Sequence, residues 1–257
     1  ALWYWHYFQA NRWRFMERTR TAEAPGEDFT TWDLPRLFAE IDRRFTASLA
    51  ESAMLRRTPI SDFDHLLPKG AVPDSYRPTL YDFIAHEALA FYGSAEQAAA
   101  KPEDTFEISA GCPIFDPPEA FVVWEPKTAD VSSPVLKAIL LYQELLRFHS
   151  GDKDQSAFLD VDIARLKWGH NVAIGENKSL RYKAALSRFV ERHASHEISS
   201  VAFLDWANAS ASEGNFAEAH RIATRGREAF PDSFGGRRCE FLIGLIEAKS
   251  AQIATER

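Results

Sequence analysis

Residues 200–233 constrain the fold most, because they have the residue types and spacing of a tetratricopeptide-type helix-turn-helix unit. A polar turn around Gly214 separates two helical segments, and Pro231 ends the second one. The apolar faces of the two segments consist of Phe203, Trp206, Ala207, Phe216, Ala219, Ala223 and Gly226. Such a unit buries its apolar face only by stacking on neighbours, so the pattern predicts an array of helical hairpins. We expect Trp206 to lie in the core, where truncation to alanine costs about 3–5 kcal/mol.

The rest of the chain also has helical periodicity. Residues 155–195 are interpreted as an earlier, degenerate copy of the repeat with a longer internal loop, and a last helix is predicted at about 236–253. Apolar residues also recur at helical spacing over 33–49 and 78–92 in the N-terminal half, and again from Ser133 onward. The predicted fold class is therefore all-α: a helical hairpin array with tetratricopeptide-like repeats in the C-terminal half.

A proline-rich segment interrupts the helical pattern, since five of the 13 prolines fall between residues 102 and 126 and prevent a long helix there. The segment is either a linker or an irregular strap packed over the helices. Seven apolar residues favour the strap: Phe106, Ile108, Ile114, Phe115, Phe121, Val122 and Trp124. We divide the chain into an N-terminal helical region with this strap, residues 1–128, and a repeat region, residues 129–257.

Composition excludes some classes of function. The 37 acidic residues outnumber the 30 basic ones, and the formal charge of -7 argues against a broad nucleic-acid-binding surface. No apolar run reaches the roughly 18 residues that a membrane span requires. Cys112 and Cys239 are too few for a disulfide framework and do not indicate a compartment.

The first 20 residues interleave aromatic side chains with Arg12, Arg14, Arg18 and Arg20. Aromatic and basic residues together can stack on bases or lie at a membrane interface. They also form buried helices whose arginines extend past the rings to water. The rings belong to Trp3, Tyr4, Trp5, Tyr7, Phe8, Trp13 and Phe15. So many large rings favour the buried helix over a small exposed patch.

The residues that could carry chemistry match known motifs only in part. His86 and Glu87 begin a zinc-protease pattern, but Ala90 stands where the second histidine ligand is required. His193 and His196 lie where a helix should end, and there we interpret them as cations that complement the helix dipole.

Other motifs fail in the same way. The aspartates between residues 152 and 162 lack the glycine and glutamate of a calcium loop, and no nucleophile elbow, phosphate loop or dinucleotide fingerprint occurs. We therefore predict no catalytic, cofactor-binding or metal-binding residue, no cofactor and no enzyme activity. Asn208, Ser210 and Ser212 are the candidates to face the concave surface of the array, although no binding residue is assigned.

Five strings of the sequence carry a family resemblance: DFTTWDLP at 28–35, YRPTLYDF at 76–83, LLRFH at 145–149, FPDS at 230–233 and IEAKS at 246–250. They resemble the N-terminal region of very large bacterial alpha-2-macroglobulin-like proteins. The resemblance implies a helical lead-in to β-sandwich domains in a periplasmic or cell-envelope protein that traps proteases. It implies three kinds of partner: downstream domains of the same chain, target proteases or a periplasmic protein. Neither Cys112 nor Cys239 begins the Cys-x-Glu-Gln motif of thioester-forming members, so the resemblance assigns no trap chemistry to this chain.

The leading functional hypothesis is a non-catalytic helical interaction domain that precedes the β-sandwich domains of such an inhibitor. One alternative is an enzyme whose site assembles between the two halves, around His86, Glu87 and the proline-rich segment. Another is a free-standing tetratricopeptide adaptor. Because the chain begins without methionine and ends within a helical pattern, we expect it to be part of a longer polypeptide.

Overall fold

The computed structural model describes residues 1–16, 26–67, 72–97 and 106–255, and its side chains as far as residue 248. The predicted contributions of Arg18, Arg20 and Pro102, and of the Ile253 side chain, lie outside this description. The described chain forms twelve α-helices and no β-strand, which confirms the predicted all-α fold class.

The helices are, in chain order, α1 (Leu2–Ala10), α2 (Arg12–Met16), α3 (Leu34–Ala50), α4 (Ser52–Leu55), α5 (Leu80–Tyr92), α6 (Pro118–Phe121), α7 (Pro134–His149), α8 (Ser156–Val172), α9 (Lys178–Arg192), α10 (Ser199–Ser212), α11 (Phe216–Ala229) and α12 (Phe234–Thr255).

Two helix starts illustrate how local sequence sets these bounds. Asp33 caps α3, because its side chain accepts a hydrogen bond from the Arg36 N–H at 3.0 Å. Helix α5 begins at Leu80, two residues later than the predicted start at Pro78. The reason is a capping box in which the side chains of Thr79 and Asp82 each accept a hydrogen bond from the other residue's backbone N–H.

The chain forms two compact units. The first consists of residues 1–106 and 126–145, and the second of residues 107–125 and 146–257. Residues 107–125 of the proline-rich segment therefore belong with the C-terminal helices, whereas the division into domains at 1–128 and 129–257 stays a prediction.

An aromatic cluster holds the first unit together. Trp5 and Phe8 of α1 stack with ring centroids 5.6 Å apart, and Phe38 of α3 lies 5.0 Å from Phe8 and 5.3 Å from Phe91 of α5. These rings are buried, as the buried-helix interpretation of the N-terminus requires. Trp3 and Trp13 depart from it, because they are 61% and 66% exposed.

Helical hairpins build the second unit. Helices α8 and α9 form one hairpin, α10 and α11 form the next, and α12 packs on both helices of the latter. Gly214 in the α10–α11 turn has a positive φ of 81°, a conformation that favours glycine. The tetratricopeptide-like assignment itself rests on the sequence spacing.

The packing residues of the repeat lie largely where the spacing predicts them. Phe203, Ala207, Ala219 and Ala223 are buried. Two residues depart from the prediction, because Trp206 is only half-buried and Phe216 is 43% exposed. Truncation of Trp206 should therefore cost less than the core value expected from the sequence, since less apolar surface leaves water on folding.

Candidate binding cleft

A polar cleft lies between the first helices of the two hairpins in the second unit. It has a volume of about 280 Å³ and is lined by Lys167, His170 and Asn171 of α8, Tyr182 of α9, and Asp205, Asn208, Ala209 and Ser212 of α10. The α8 residues are three and four positions apart, and the α10 residues follow the spacing i, i+3, i+4, i+7. Side chains at these spacings lie on one face of a helix, so each helix presents one polar stripe to the cleft.

Ionic and aromatic contacts fix the floor of the cleft. Lys167 Nζ donates to Asp205 Oδ1 at 3.1 Å, which joins α8 to α10. The ring of His170 stacks on that of Tyr182, with centroids 4.3 Å apart and planes inclined by 14°. Asp205 and Tyr182 are buried, so this part of the cleft is preorganised by the core.

The titratable groups of the cleft carry little net charge near neutral pH. Burial lowers the pKa of His170, and the nearby Lys178 cation adds to the shift, so the imidazole is neutral. Burial raises the pKa of Tyr182, and the negative charge of Asp205 raises it further, so the phenol keeps its proton. Because Lys167 and Asp205 neutralise each other, the cleft offers mainly uncharged hydrogen-bonding groups.

Glu213 links the two hairpins at one end of this surface. It accepts hydrogen bonds from the Ser179 hydroxyl and the Lys183 ammonium, both on α9. The hydrogen bond from Lys183, followed by that from Ser179, lowers the pKa of Glu213. These contacts fix the α10–α11 turn against α9.

The strap, defined here as residues 107–125, packs against α8 and α9 within the second unit. Ile108, Ile114, Phe115 and Phe121 are buried, as the packed-strap alternative requires. Two backbone hydrogen bonds connect residues 108–110 to Ile174: the Ile174 N–H donates to Ile108 O at 2.9 Å, and the Ala110 N–H donates to Ile174 O at 2.7 Å. The segment is therefore part of the folded core of this unit.

Arginines hold the irregular backbone of the strap. Arg165 Nη1 donates to the carbonyls of Ile114 at 2.7 Å and Asp116 at 3.1 Å. Arg181 donates to the Cys112 carbonyl at 3.0 Å and to the Asp116 carboxylate at 2.5 Å. A proline-rich chain cannot pair its carbonyls within a helix, so side chains of neighbouring helices satisfy them instead.

The structure separates the three candidate concave-surface residues. Asn208 and Ser212 line the cleft and are exposed, whereas Ser210 is buried. Sequence reasoning missed Lys167, His170, Asn171, Tyr182 and Asp205, although the polar i, i+3, i+4, i+7 spacing along α10 was a usable signal. The polar stripe on α8 could not be predicted as part of a site, because the sequence does not show which helix faces α10.

The histidine motifs have structural roles. His86 Nδ1 lies 2.9 Å from the Asp82 carbonyl, one turn earlier on α5, and Glu87 lies 3.7 Å from His6. His193 is the C-cap residue of α9, and burial followed by the Arg192 charge lowers its pKa. The lowered pKa disfavours the charged form of the imidazole, so it does not support the predicted role of His193 as a cation at the helix end.

One serine–histidine pair has the separation of a nucleophile and a base, with Ser156 Oγ 3.2 Å from His196 Nε2. The other ring nitrogen, His196 Nδ1, accepts a hydrogen bond from the Ile198 N–H at 3.2 Å. A neutral imidazole that accepts at Nδ1 carries its proton on Nε2, so it donates to the serine and does not deprotonate it. This pair is therefore unsuited to nucleophilic catalysis.

Two further observations concern the described residues only. No group of three or more His, Cys, Asp or Glu side chains there is arranged to hold a metal ion. None of the helices in that part of the chain combines the length and hydropathy needed to cross a membrane.

Comparisons with known proteins gave no match: no family model, curated protein or solved structure is significantly similar to this chain.

Proposed function

We propose that this chain is a non-catalytic helical interaction domain whose cleft between α8 and α10 binds an extended peptide segment of a protein partner. The observation that carries the proposal is the position of Asn171 and Asn208, which are exposed on the two helices that border the cleft. An asparagine amide both donates and accepts hydrogen bonds, so it complements a peptide group in either orientation. Asparagines on opposite walls of the cleft can therefore hydrogen-bond the backbone of a peptide that runs between them.

The character of the cleft also supports a peptide ligand. Its few charges are paired, and its lining follows two helices, so it favours main-chain recognition over the binding of a compact charged molecule. The half-buried His170 ring, which stacks on the buried Tyr182, forms a flat apolar surface next to these donors and acceptors. A peptide side chain that packs on the His170 ring would fix the register of the bound segment.

The experiment selects phage-displayed random peptides on the immobilised 257-residue chain. The affinity of the selected peptides is then measured by fluorescence polarisation. We expect selected peptides to bind and the double variant Asn171→Ala/Asn208→Ala to weaken them about tenfold or more, since each lost hydrogen bond costs about 0.5–1.5 kcal/mol. The matched control is Asn177→Ala, because Asn177 is exposed at the start of α9, outside the cleft. Failure to select any peptide, or equal loss in the control, contradicts the proposal.

The resemblance to bacterial alpha-2-macroglobulin-like proteins extends this proposal to the whole protein. We propose that the domain precedes β-sandwich domains of a periplasmic or cell-envelope endopeptidase inhibitor, and that the partner is a downstream domain, a target protease or a periplasmic protein. An antibody to this chain, used on fractionated source cells, tests this by the mass of the native polypeptide. A species several times larger than 29.1 kDa outside the cytoplasm is expected, and a cytoplasmic species near 29.1 kDa contradicts it.

A further inference from the structure

A second, smaller cavity lies between the strap and helices α8 and α9. Its volume is about 90 Å³. Apolar side chains form much of its wall: Pro117, Pro118, Leu166, Ala185 and Phe189. Leu166, Ala185 and Phe189 are buried and form an apolar patch on the wall, beside the equally buried Arg165 and Asp162.

Three guanidinium groups surround the same cavity, and two of them are neutralised by carboxylates. Arg165 is buried and pairs with Asp162, and Arg192 donates to Glu119 at 2.6 Å. Arg188 differs, because among the described residues no carboxylate lies within 4.0 Å of its guanidinium. The mouth of the cavity therefore carries one positive charge in excess.

The remaining polar groups do not cancel this excess. The Asp116 carboxylate lines the cavity but pairs with Arg181 at 2.5 Å. Arg188 donates one hydrogen bond, to the carbonyl of Phe115, and its other N–H groups are available to a ligand. His193 also lines the cavity, and burial together with the Arg192 charge lowers its pKa, so it adds no charge at neutral pH.

We propose that this cavity binds a carboxylate on a short apolar stem, with the carboxylate paired to Arg188 and the stem against Leu166, Ala185 and Phe189. A guanidinium binds a carboxylate through two parallel N–H···O bonds, and this geometry leaves the stem free to lie against the apolar patch. The cavity is too small for a larger ligand to enter fully. Two sources have this chemistry: a free small carboxylic acid and the glutamate side chain of an acidic peptide.

Thermal denaturation and titration calorimetry of the whole chain test the proposal with four probes at constant ionic strength. The free-acid arm compares butyrate with butyramide, and the peptide arm compares a blocked Gly-Glu-Gly peptide with its glutamine analogue. At a tenfold excess over Kd, we expect a carboxylate probe to raise Tm by about 3–6 °C. The two amides should have no effect, because they lack the charge.

The variants locate the site. Arg188→Gln should abolish the shift, and Arg221→Gln should retain it, because Arg221 is an exposed arginine of α11 that pairs with Glu218 outside the cavity. If Arg188→Gln does not fold, Arg188→Lys serves instead: it keeps the charge, loses the two-pronged geometry and should weaken binding about tenfold. Unchanged binding in the folded Arg188 variant, or equal shifts by acid and amide, overturns the proposal.

The two arms identify the source. Binding of butyrate alone supports a small free acid, and binding of the glutamate peptide supports an acidic segment of a partner. Binding of neither overturns the proposal. None of the residues that line this cavity lines the α8–α10 cleft, so the result does not depend on whether the cleft binds a peptide.

Discussion

Gly235 provides the sharpest test of the packing between α12 and α10. A Cβ atom added at this position would lie 2.4 Å from the backbone carbon of Ser200 and 2.5 Å from the backbone nitrogen of Val201. Real Cβ atoms do not approach backbone atoms this closely, so Gly235→Ala must displace α12 from the start of α10. Gly244, on the same helix, is the matched control, because an added Cβ there meets no atom within 4 Å.

The expected magnitudes follow from the two environments. Overpacking usually costs about 1–3 kcal/mol, and contact with backbone atoms places Gly235→Ala at about 3 kcal/mol. In a chain of this size that lowers Tm by about 6–12 °C. Gly244→Ala should raise stability by up to about 1 kcal/mol, since alanine is the better helix former in an open position.

Thermal and urea unfolding followed by circular dichroism at 222 nm measure both effects. A double-mutant cycle with Ser200→Gly adds a control for the Ser200 hydroxyl, which lies 2.3 Å from the added Cβ. Because the backbone atoms remain, Ser200→Gly should rescue little of the loss. Equal stability of Gly235→Ala and the unchanged chain, or full rescue by Ser200→Gly, refutes the reasoning.

Two further predictions concern charged groups. Arg165→Met should destabilise the chain by about 3–5 kcal/mol in urea unfolding, because it leaves the buried Asp162 without its partner, and Arg165→Met/Asp162→Leu should recover part of the loss. No recovery in the double variant contradicts the assigned cause. The hydrogen bond from Arg43, supported by Arg44, lowers the pKa of Glu40 to about 2, so this carboxylate stabilises the fold above pH 4.5 and loses that effect as pH falls toward 2. Glu40→Gln should therefore reduce the free energy of unfolding at pH 7 by less than about 1 kcal/mol, since the arginines are exposed. The difference in stability between the variant and the unchanged chain should narrow below pH 4.5. A difference that stays constant across this range is the contrary result.

The helices were predictable because their signals are local. The apolar spacing, Asp33 as the cap of α3 and the turn at Gly214 all act within a few residues. The predicted start of α5 was wrong by two residues, because proline and threonine are both common at helix starts. The capping box at Thr79 sets the first helical residue at Leu80. The half-burial of Trp206 could not be predicted, because helical spacing shows which side of the helix Trp206 lies on but not how much of it the neighbouring helix covers.

The candidate sites depend on long-range pairing. Asn208 and Ser212 were within reach of the sequence, since they lie on the polar side of a predicted helix. Lys167 and Asp205 are 38 positions apart, and their ion pair exists only because α8 and α10 face each other. Arg188 stands out only after the structure has shown which carboxylates the neighbouring arginines engage.

The sequence by itself determined the all-α class, the positions of most helices and the hairpin pattern of the C-terminal half, because periodicity, caps and turns are properties of neighbouring residues. Only the tertiary structure decided that residues 107–125 pack with the C-terminal helices, that arginines satisfy their carbonyls, and that two polar stripes meet at a cleft. These outcomes depend on which surfaces bury each other, and burial is a property of the folded chain as a whole.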